Sequence, residues 1–241
     1  PHLVRYGSKP MREAEVDRSL RNIRISSLTP SLLLDRRDDP VNPTRGWSVA
    51  LQLEVASPLL VADEAFVKFF VQGTHQLPWG RTVLASSVRL GAIEPSTDAA
   101  PPDPSLPGRL AAAEVPISER FFAGGRTSHR AYERDFLGIR GSTLCPSGDT
   151  CPAADANAKF LPVGGNGLGL VNLDFRFPIA AGLGGSVFLD AGNVWPRWQE
   201  VNLEEIKLGT GLGLRYLTPI GPLRAEIGWK LDRERGESPY E

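Results

Sequence analysis

The feature that most restricts this chain is a strict two-residue alternation near its C-terminal end. Leu223, Ala225, Ile227, Trp229 and Leu231 take one set of positions, and Arg224, Glu226, Gly228, Lys230 and Asp232 take the other. Successive side chains of a β-strand point to opposite faces, so the segment presents one apolar face and one largely charged face. A soluble sandwich could bury the first and wet the second, so this strand alone fits a sandwich or a barrel. Three wider features favour a membrane barrel. The alternating segments run for about nine to twelve residues, enough to cross a bilayer when tilted and longer than the usual soluble strand. Short turns (PIAAG, TPIGP, QLPWG) alternate with longer loops, as in outer-membrane barrels. Trp47, Trp195, Trp198 and Tyr216 fall near strand ends, where interfacial aromatic girdles sit. The chain is 41% apolar with a mean hydropathy of −0.18; alternation averages to such modest values, and no apolar run is long enough for a transmembrane helix.

In chain order, residues 1–22 read as a poorly defined strand end or surface loop. Residues 23–91 supply the first four strands. Leu28, Pro30, Leu32 and Leu34 share one face of the first; RRDDPVNPTRG turns the chain; Trp47, Val49, Leu51, Leu53 and Val55 alternate in the second. A short link over Ser57 to Asp63 follows, then Val67, Phe69 and Val71, the turn QLPWG, and a strand with Arg89 on its polar side. Residues 92–167 form a long outer loop, and residues 168–232 supply four more strands. Phe188, Asp190 and Gly192 share the polar face of one; Asn172, Asp174 and Arg176 share that of its neighbour. Residues 233–241 read as a truncated loop before a missing last strand. A lipid-facing sheet must close, because open edges cannot face hydrocarbon. A barrel of about eight strands is filled by its own side chains, with no room for a loop of about seventy residues. The expected fold is therefore all-β: an antiparallel transmembrane β-barrel portion, about eight strands of a larger barrel of about sixteen.

Within the long loop, ERFFAGGRTSHRAYERDFLG, Glu119 to Gly138, sets arginine among aromatics and glycines. It is too polar and glycine-rich for a membrane strand, and is expected to fold back and place Arg130 among inward-facing residues. Cys145 and Cys151 bracket the turn-forming PSGDT, which predicts a small disulfide-closed loop in an oxidising compartment, or else two free thiols.

Other chemistries find little support. The net charge is −1, so bulk charge does not suggest nucleic acid. Ser128, His129 and Asp135 lie close together but without a nucleophile elbow, so no enzyme activity is expected. GLGGS and GTGLG precede no helix and lie within strands, where glycine lets a wall bend or a loop approach closely. Asp38 and Asp39 lack calcium-loop spacing, and the histidines stand far from the two cysteines, so neither a metal nor another cofactor is expected. PHLVRYGSKP carries no export signal, which predicts a fragment of something longer if the protein is exported.

From about Leu32 to Asp232 the chain resembles the C-terminal barrel half of the outer-membrane assembly superfamily that includes BamA, TamA and the two-partner secretion translocators, the bacterial surface antigen domain. RDDPVNPTRG looks like its periplasmic turn. ERFFAGGRTSHRAY looks like the tip of its sixth extracellular loop, which reads close to S-x-R-G-F/Y and here is Ser128, Arg130, Ala131 and Tyr132. NLDFRFP, VFLDAGNVW and LRYLTPIGPLRAEIG look like the strands that follow. The resemblance implies that Arg130 enters the lumen and that Phe188, Asp190 and Gly192 match the family's F-x-D-x-G strand. A guanidinium in a narrowed lumen needs a carboxylate; Asp190 is the expected partner and Asp174 the second candidate. Ala131 departs from the family glycine, which predicts an altered tip. The implied function is insertion or translocation of polypeptides in the bacterial outer membrane, with lipids and unfolded outer-membrane or secreted polypeptides as partners, and accessory assembly proteins or an inner-membrane partner beside them. A two-partner secretion translocator and a passive porin or adhesin barrel are the alternatives.

Overall fold

The computed structural model describes residues 3–6, 9–12, 24–96, 115–138, 140–141, 161–162, 164–180, 182–218 and 221–232. Strands β1 (Leu3–Tyr6) and β2 (Lys9–Arg12) pair as a hairpin. One antiparallel sheet of nine strands then carries the architecture. It comprises β3 (Ser27–Leu28), β4 (Ser31–Asp35), β5 (Gly46–Ala56), β6 (Phe66–Trp79) and β7 (Thr82–Pro95). After the two-residue pair β8 (Arg140–Gly141) and β9 (Leu161–Pro162), it resumes with β10 (Gly167–Ala180), β11 (Leu183–Trp195), β12 (Lys207–Thr218) and β13 (Gly221–Lys230). The order across the sheet is β13-β12-β11-β10-β7-β6-β5, with β3 and β4 both on β5. Among the described residues the sheet does not close on itself: β13 is at one edge, and β3 with β4 at the other.

The structure departs from the sequence expectation in four places. The strand expected through Leu28 to Leu34 is interrupted: β3 and β4 meet β5 in one continuous register, Leu28 opposite Val55 and Ser31 opposite Gln52, with a gap at Thr29 and Pro30. Pro30 has no N–H for the ladder, although its carbonyl still accepts from Leu53 N at 3.1 Å. QLPWG is not a turn: β6 runs through it, and the chain reverses over Gly80 and Arg81, with Gly80 at φ 61°. Pro78 is tolerated because β5 begins at Gly46, opposite Gln76, so beyond that point β6 has no ladder on its second edge. The long loop begins later than residue 92, because β7 continues to Pro95 against Phe66. Residues 1–22 contain the β1–β2 hairpin rather than a strand end alone.

The connections sort by end. At one end only two residues separate β6 from β7, β10 from β11 and β12 from β13, and the ten-residue turn 36–45 lies there too. The other end carries the long connections: 57–65, with a 3-10 turn over Pro58–Leu60; the loop between β7 and β10; and 196–206.

The outer face is an exposed apolar belt. Val88 faces Val171, Leu173 faces Leu189, Val187 faces Leu212 and Leu212 faces Ile227 across the ladders, and all are exposed. So continuous a surface in water would drive association, whereas in lipid it is the expected exterior. The buried core lies on the inner side, where Phe66, Ile93, Leu168, Leu170 and Val194 pack with the loop residues Val115, Phe121, Ala123, Tyr132 and Leu137.

Candidate functional site: the loop tip inside the sheet

The segment 115–138 is a folded hairpin laid against the inner face. Phe121 exchanges backbone bonds with Gly165 at 2.9 and 3.0 Å, and its ring lies where a Cβ on Gly91 of β7 would stand, 2.5 Å away. Closer to the tip, Leu137 N donates to Ala123 O at 2.9 Å and Gly125 N to Tyr132 O at 2.6 Å. The Ser128 hydroxyl donates to Gly124 O at 2.7 Å and accepts from Gly124 N at 2.8 Å, which ties off the turn. Gly124 has φ 117°, and a side chain there would strike Glu133 O, so only glycine fits.

Arg130 projects from this tip onto β11. Its backbone N–H and Nε donate to Asp190 Oδ2 at 2.8 and 2.9 Å, and Nη2 donates to Oδ1 at 2.7 Å. Asn172 Nδ2 adds a fourth bond, to Oδ1 at 2.8 Å, and also donates to Ser128 O at 2.6 Å. Asp190 is fully buried and Arg130 only 10% exposed at the side chain, so the pair stands out of bulk water with every carboxylate lone pair engaged. Charge-assisted bidentate pairs are among the strongest hydrogen bonds, and desolvation makes them unforgiving of a lost partner. The guanidinium lies 3.6 Å from the Phe188 ring centroid, and Glu226 Oε1 approaches Nη1 at 3.5 Å.

Neighbouring strands are thinned to receive the tip. Hypothetical Cβ atoms would stand 2.5 Å from Ala131 Cβ at Gly209, against Phe188 Cζ and Ile227 O at Gly211, and 2.6 Å from Arg130 O at Gly228. His129 is fully buried; its Nε2 meets Lys207 O at 3.2 Å, and it stacks edge-on with Tyr132 at 4.9 Å. Lys230 Nζ lies 4.5 Å above the Tyr132 ring. Gly192 serves the wall itself, since a Cβ there would strike Gly169 O of β10.

Of the residues singled out from sequence, Ser128, Arg130, Ala131 and Tyr132 meet Phe188 and Asp190 in one site. Asp174 bonds Arg176 Nε at 3.0 Å rather than Arg130. Ala131 needs no left-handed backbone, for the described non-glycine residues with positive φ are Val61 and Asp135; the tip is accommodated by Gly209 instead. Cys145 and Cys151 lie outside the described residues. Asn172 and Glu226 are the partners that sequence reading did not name, although both fall on polar faces. No group of metal-ligating side chains occurs among the described residues.

A second contact reaches the inner face from the short-turn end. In the turn 36–45, Asp38 Oδ1 accepts from the N–H groups of Asp39, Thr44 and Arg45 at 2.9 to 3.1 Å, and Thr44 Oγ1 donates to Oδ2 at 2.5 Å. Asp39 accepts from Val41 N and Asn42 N at 2.7 and 3.1 Å. The turn so braced buries Pro43 and brings Asn42 Oδ1 within 2.9 Å of Arg215 Nη1 on β12, although four strands of the sheet stand between β5 and β12.

Residues 5–241 match the Omp85 superfamily domain. The chain is 28% identical over 229 residues to the outer membrane protein assembly factor BamA of Nitratidesulfovibrio vulgaris, covering 93% of this chain and 24% of that protein. It is 30% identical over 235 residues to a SAM50-like protein of Schizosaccharomyces pombe, covering 95% of this chain and 44% of that one. It therefore spans less than half the length of these curated relatives. The crystal structure of BamA from Haemophilus ducreyi lacking POTRA domains 1-3 superposes with a TM-score of 0.66 at 18% identity, over 89% of this chain and 41% of that one, a likeness of fold.

Proposed function

This chain belongs to the Omp85 superfamily, and on that premise we propose that it is the loop-bearing part of an outer-membrane factor that inserts unfolded outer-membrane proteins. The apolar outer belt and the family place it in an outer membrane as barrel wall. The observation that carries the functional reading is the four-bond seat of Asp190 beneath Arg130. A passive pore gains nothing from a buried ion pair that fastens an outer loop across its lumen. An insertion factor gains a wall held in one shape while strands are exchanged elsewhere. Substrate strands then add by edge pairing, in which main-chain bonds give affinity regardless of side-chain sequence. The role is non-enzymatic, with unfolded polypeptide as substrate and accessory assembly proteins as partners.

The test is reconstitution of the full-length protein in proteoliposomes, with folding of an unfolded outer-membrane substrate followed by its gel-mobility shift. Faster folding than in empty liposomes, lost in Arg130→Ala, supports the proposal. Unchanged folding overturns it: export of a dedicated partner protein would then indicate a two-partner translocator, and steady ion conductance a porin.

A further inference from the structure

Beside the seated tip, the inner faces of β6, β7, β10 and β13 border a chamber of about 600 Å³. Its described lining carries five guanidiniums, those of Arg89, Arg126, Arg130, Arg176 and Arg224, and two carboxylates, those of Asp174 and Glu226. With Asp190 behind Arg130 counted as a third carboxylate, a surplus of two positive charges remains among the described residues. Arg130 and Arg176 have close carboxylate partners at 2.7 and 3.0 Å. Arg89 has a neutral one: Nη1 donates to the Thr127 carbonyl at 2.5 Å, while Nε is buried without a partner. Arg176 Nη1 is also buried and unpartnered, and Arg224 lies within electrostatic reach of Arg176. Acceptors stand open in the same wall too, Gln76 Oε1 and Asp174 Oδ1, so ordered water can complete some of these bonds. Water cannot cancel the charge. Crowded cations beside a lipid-encircled wall call for an anion, since low-dielectric surroundings strengthen both their repulsion and the attraction of a counter-charge.

We propose that this chamber is a binding site for a polyvalent oxyanion, a group bearing at least two negative charges on carboxylate or phosphate oxygens, held chiefly by Arg89 and Arg224. Guanidinium suits such a ligand because its fixed fork of donors matches both oxygen geometries. The polar residues Thr74, Ser87 and Gln76 on the same wall supply neutral hydrogen-bonding groups around it. The inference rests on the chamber's charge and open donors, and does not depend on insertion activity.

The intact protein in lipid nanodiscs is titrated calorimetrically, at low and at moderate salt, with pyrophosphate and with a triglutamate peptide. Saturable binding of either probe is expected, weakened by salt and weakened about tenfold or more in Arg224→Gln and in Arg89→Gln. The probe that binds distinguishes a phosphate source from an acidic-peptide source. Heat-modifiable gel mobility reports that each variant is folded, and Arg224, at an exposed position, is the safer substitution should Arg89→Gln fail to fold. No saturable binding of either probe to the unaltered protein overturns the proposal, as does unchanged affinity in folded Arg224→Gln.

Discussion

Ala131 and Gly209 face each other so closely that a Cβ on Gly209 would stand 2.5 Å from the Cβ of Ala131. The loop tip and β12 divide one side chain's worth of space between them, and a methyl group can stand on one side only. Gly209→Ala should unseat the tip, at a cost of about 1–3 kcal/mol as for other overpacked interiors. Ala131→Gly should be mild, because residue 131 does not use positive φ and loses only a methyl and some chain stiffness, about 1 kcal/mol. The double variant removes the methyl clash but leaves the buried His129 ring 2.7 Å from the new Cβ, so it should recover only part of the loss. Thermal midpoints of the four proteins, read by heat-modifiable mobility, check the set; equal midpoints in Gly209→Ala and the unaltered chain would show that the contact is soft.

The Arg130–Asp190 pair predicts strong non-additivity. Removing Arg130 leaves buried Asp190 with only the Asn172 amide, and removing Asp190 leaves Arg130 with only the longer approach of Glu226, a loss of about 3–5 kcal/mol or somewhat less in the second case. Removing both leaves a cavity but no orphan charge, so Arg130→Ala with Asp190→Ala should cost clearly less than the sum of the single changes. Arg130→Lys should behave nearly as badly as Arg130→Ala, because a single ammonium cannot reproduce the Nε and Nη2 bonds made to two carboxylate oxygens. A double-mutant cycle on unfolding midpoints decides this.

How far the sequence disclosed this arrangement follows from what alternation encodes. A two-residue period assigns faces, so Asp190, Asn172 and Glu226 fall on polar faces by alternation, whereas Arg130's place in the lumen followed from the loop's resemblance to the superfamily's. It does not encode register between strands. That Asn172 stands directly opposite Asp190, and so becomes its fourth donor, depends on hairpin geometry that face assignment leaves open. The glycines of β12 were legible as sites of close approach, but not as the sockets of Ala131 and Phe188 in particular. Prolines misled in both directions: Pro30 interrupts a strand that alternation joins, and Pro78 sits inside one that turn chemistry ends.

Asn42 and Arg215, 173 residues apart, were invisible to any local pattern, and they predict a latch at the short-turn end. A hydrogen bond to a charged group contributes about 1.5–3 kcal/mol when its loss leaves the charge unsatisfied. Asn42→Ala should therefore loosen the turn 36–45 while leaving Arg130 seated on Asp190. The expected outcome is faster amide exchange at Val41 to Arg45 with unchanged exchange at residues 128–132. Loss of protection at both places would mean that the two ends are mechanically coupled.

The same turn should carry a pH dependence centred on Asp38, with Asp35, held down to about 2 by the hydrogen bonds from Arg37, adding to it only in acid. Asp38 is held well below the ordinary carboxylate range, first by the hydrogen bond from the Thr44 hydroxyl and then by the backbone N–H groups of Arg45 and Thr44. Its folded pKa is depressed, so its contribution to the turn is complete above the unfolded value of about 4 and is lost as pH falls through the folded value. Neutral pH and mildly acidic pH should thus leave the turn alike, with loosening beginning only below about pH 4. Asp38→Asn keeps an acceptor for the N–H groups but removes the charge, so its turn should be looser at neutral pH and less sensitive to acid over the same range. Amide chemical shifts of Thr44 and Arg45, followed through an acid titration in both proteins, read the effect directly. A Thr44 shift that titrates near pH 4 in the unaltered protein would show that the carboxylate is not braced as the four bonds to Asp38 require.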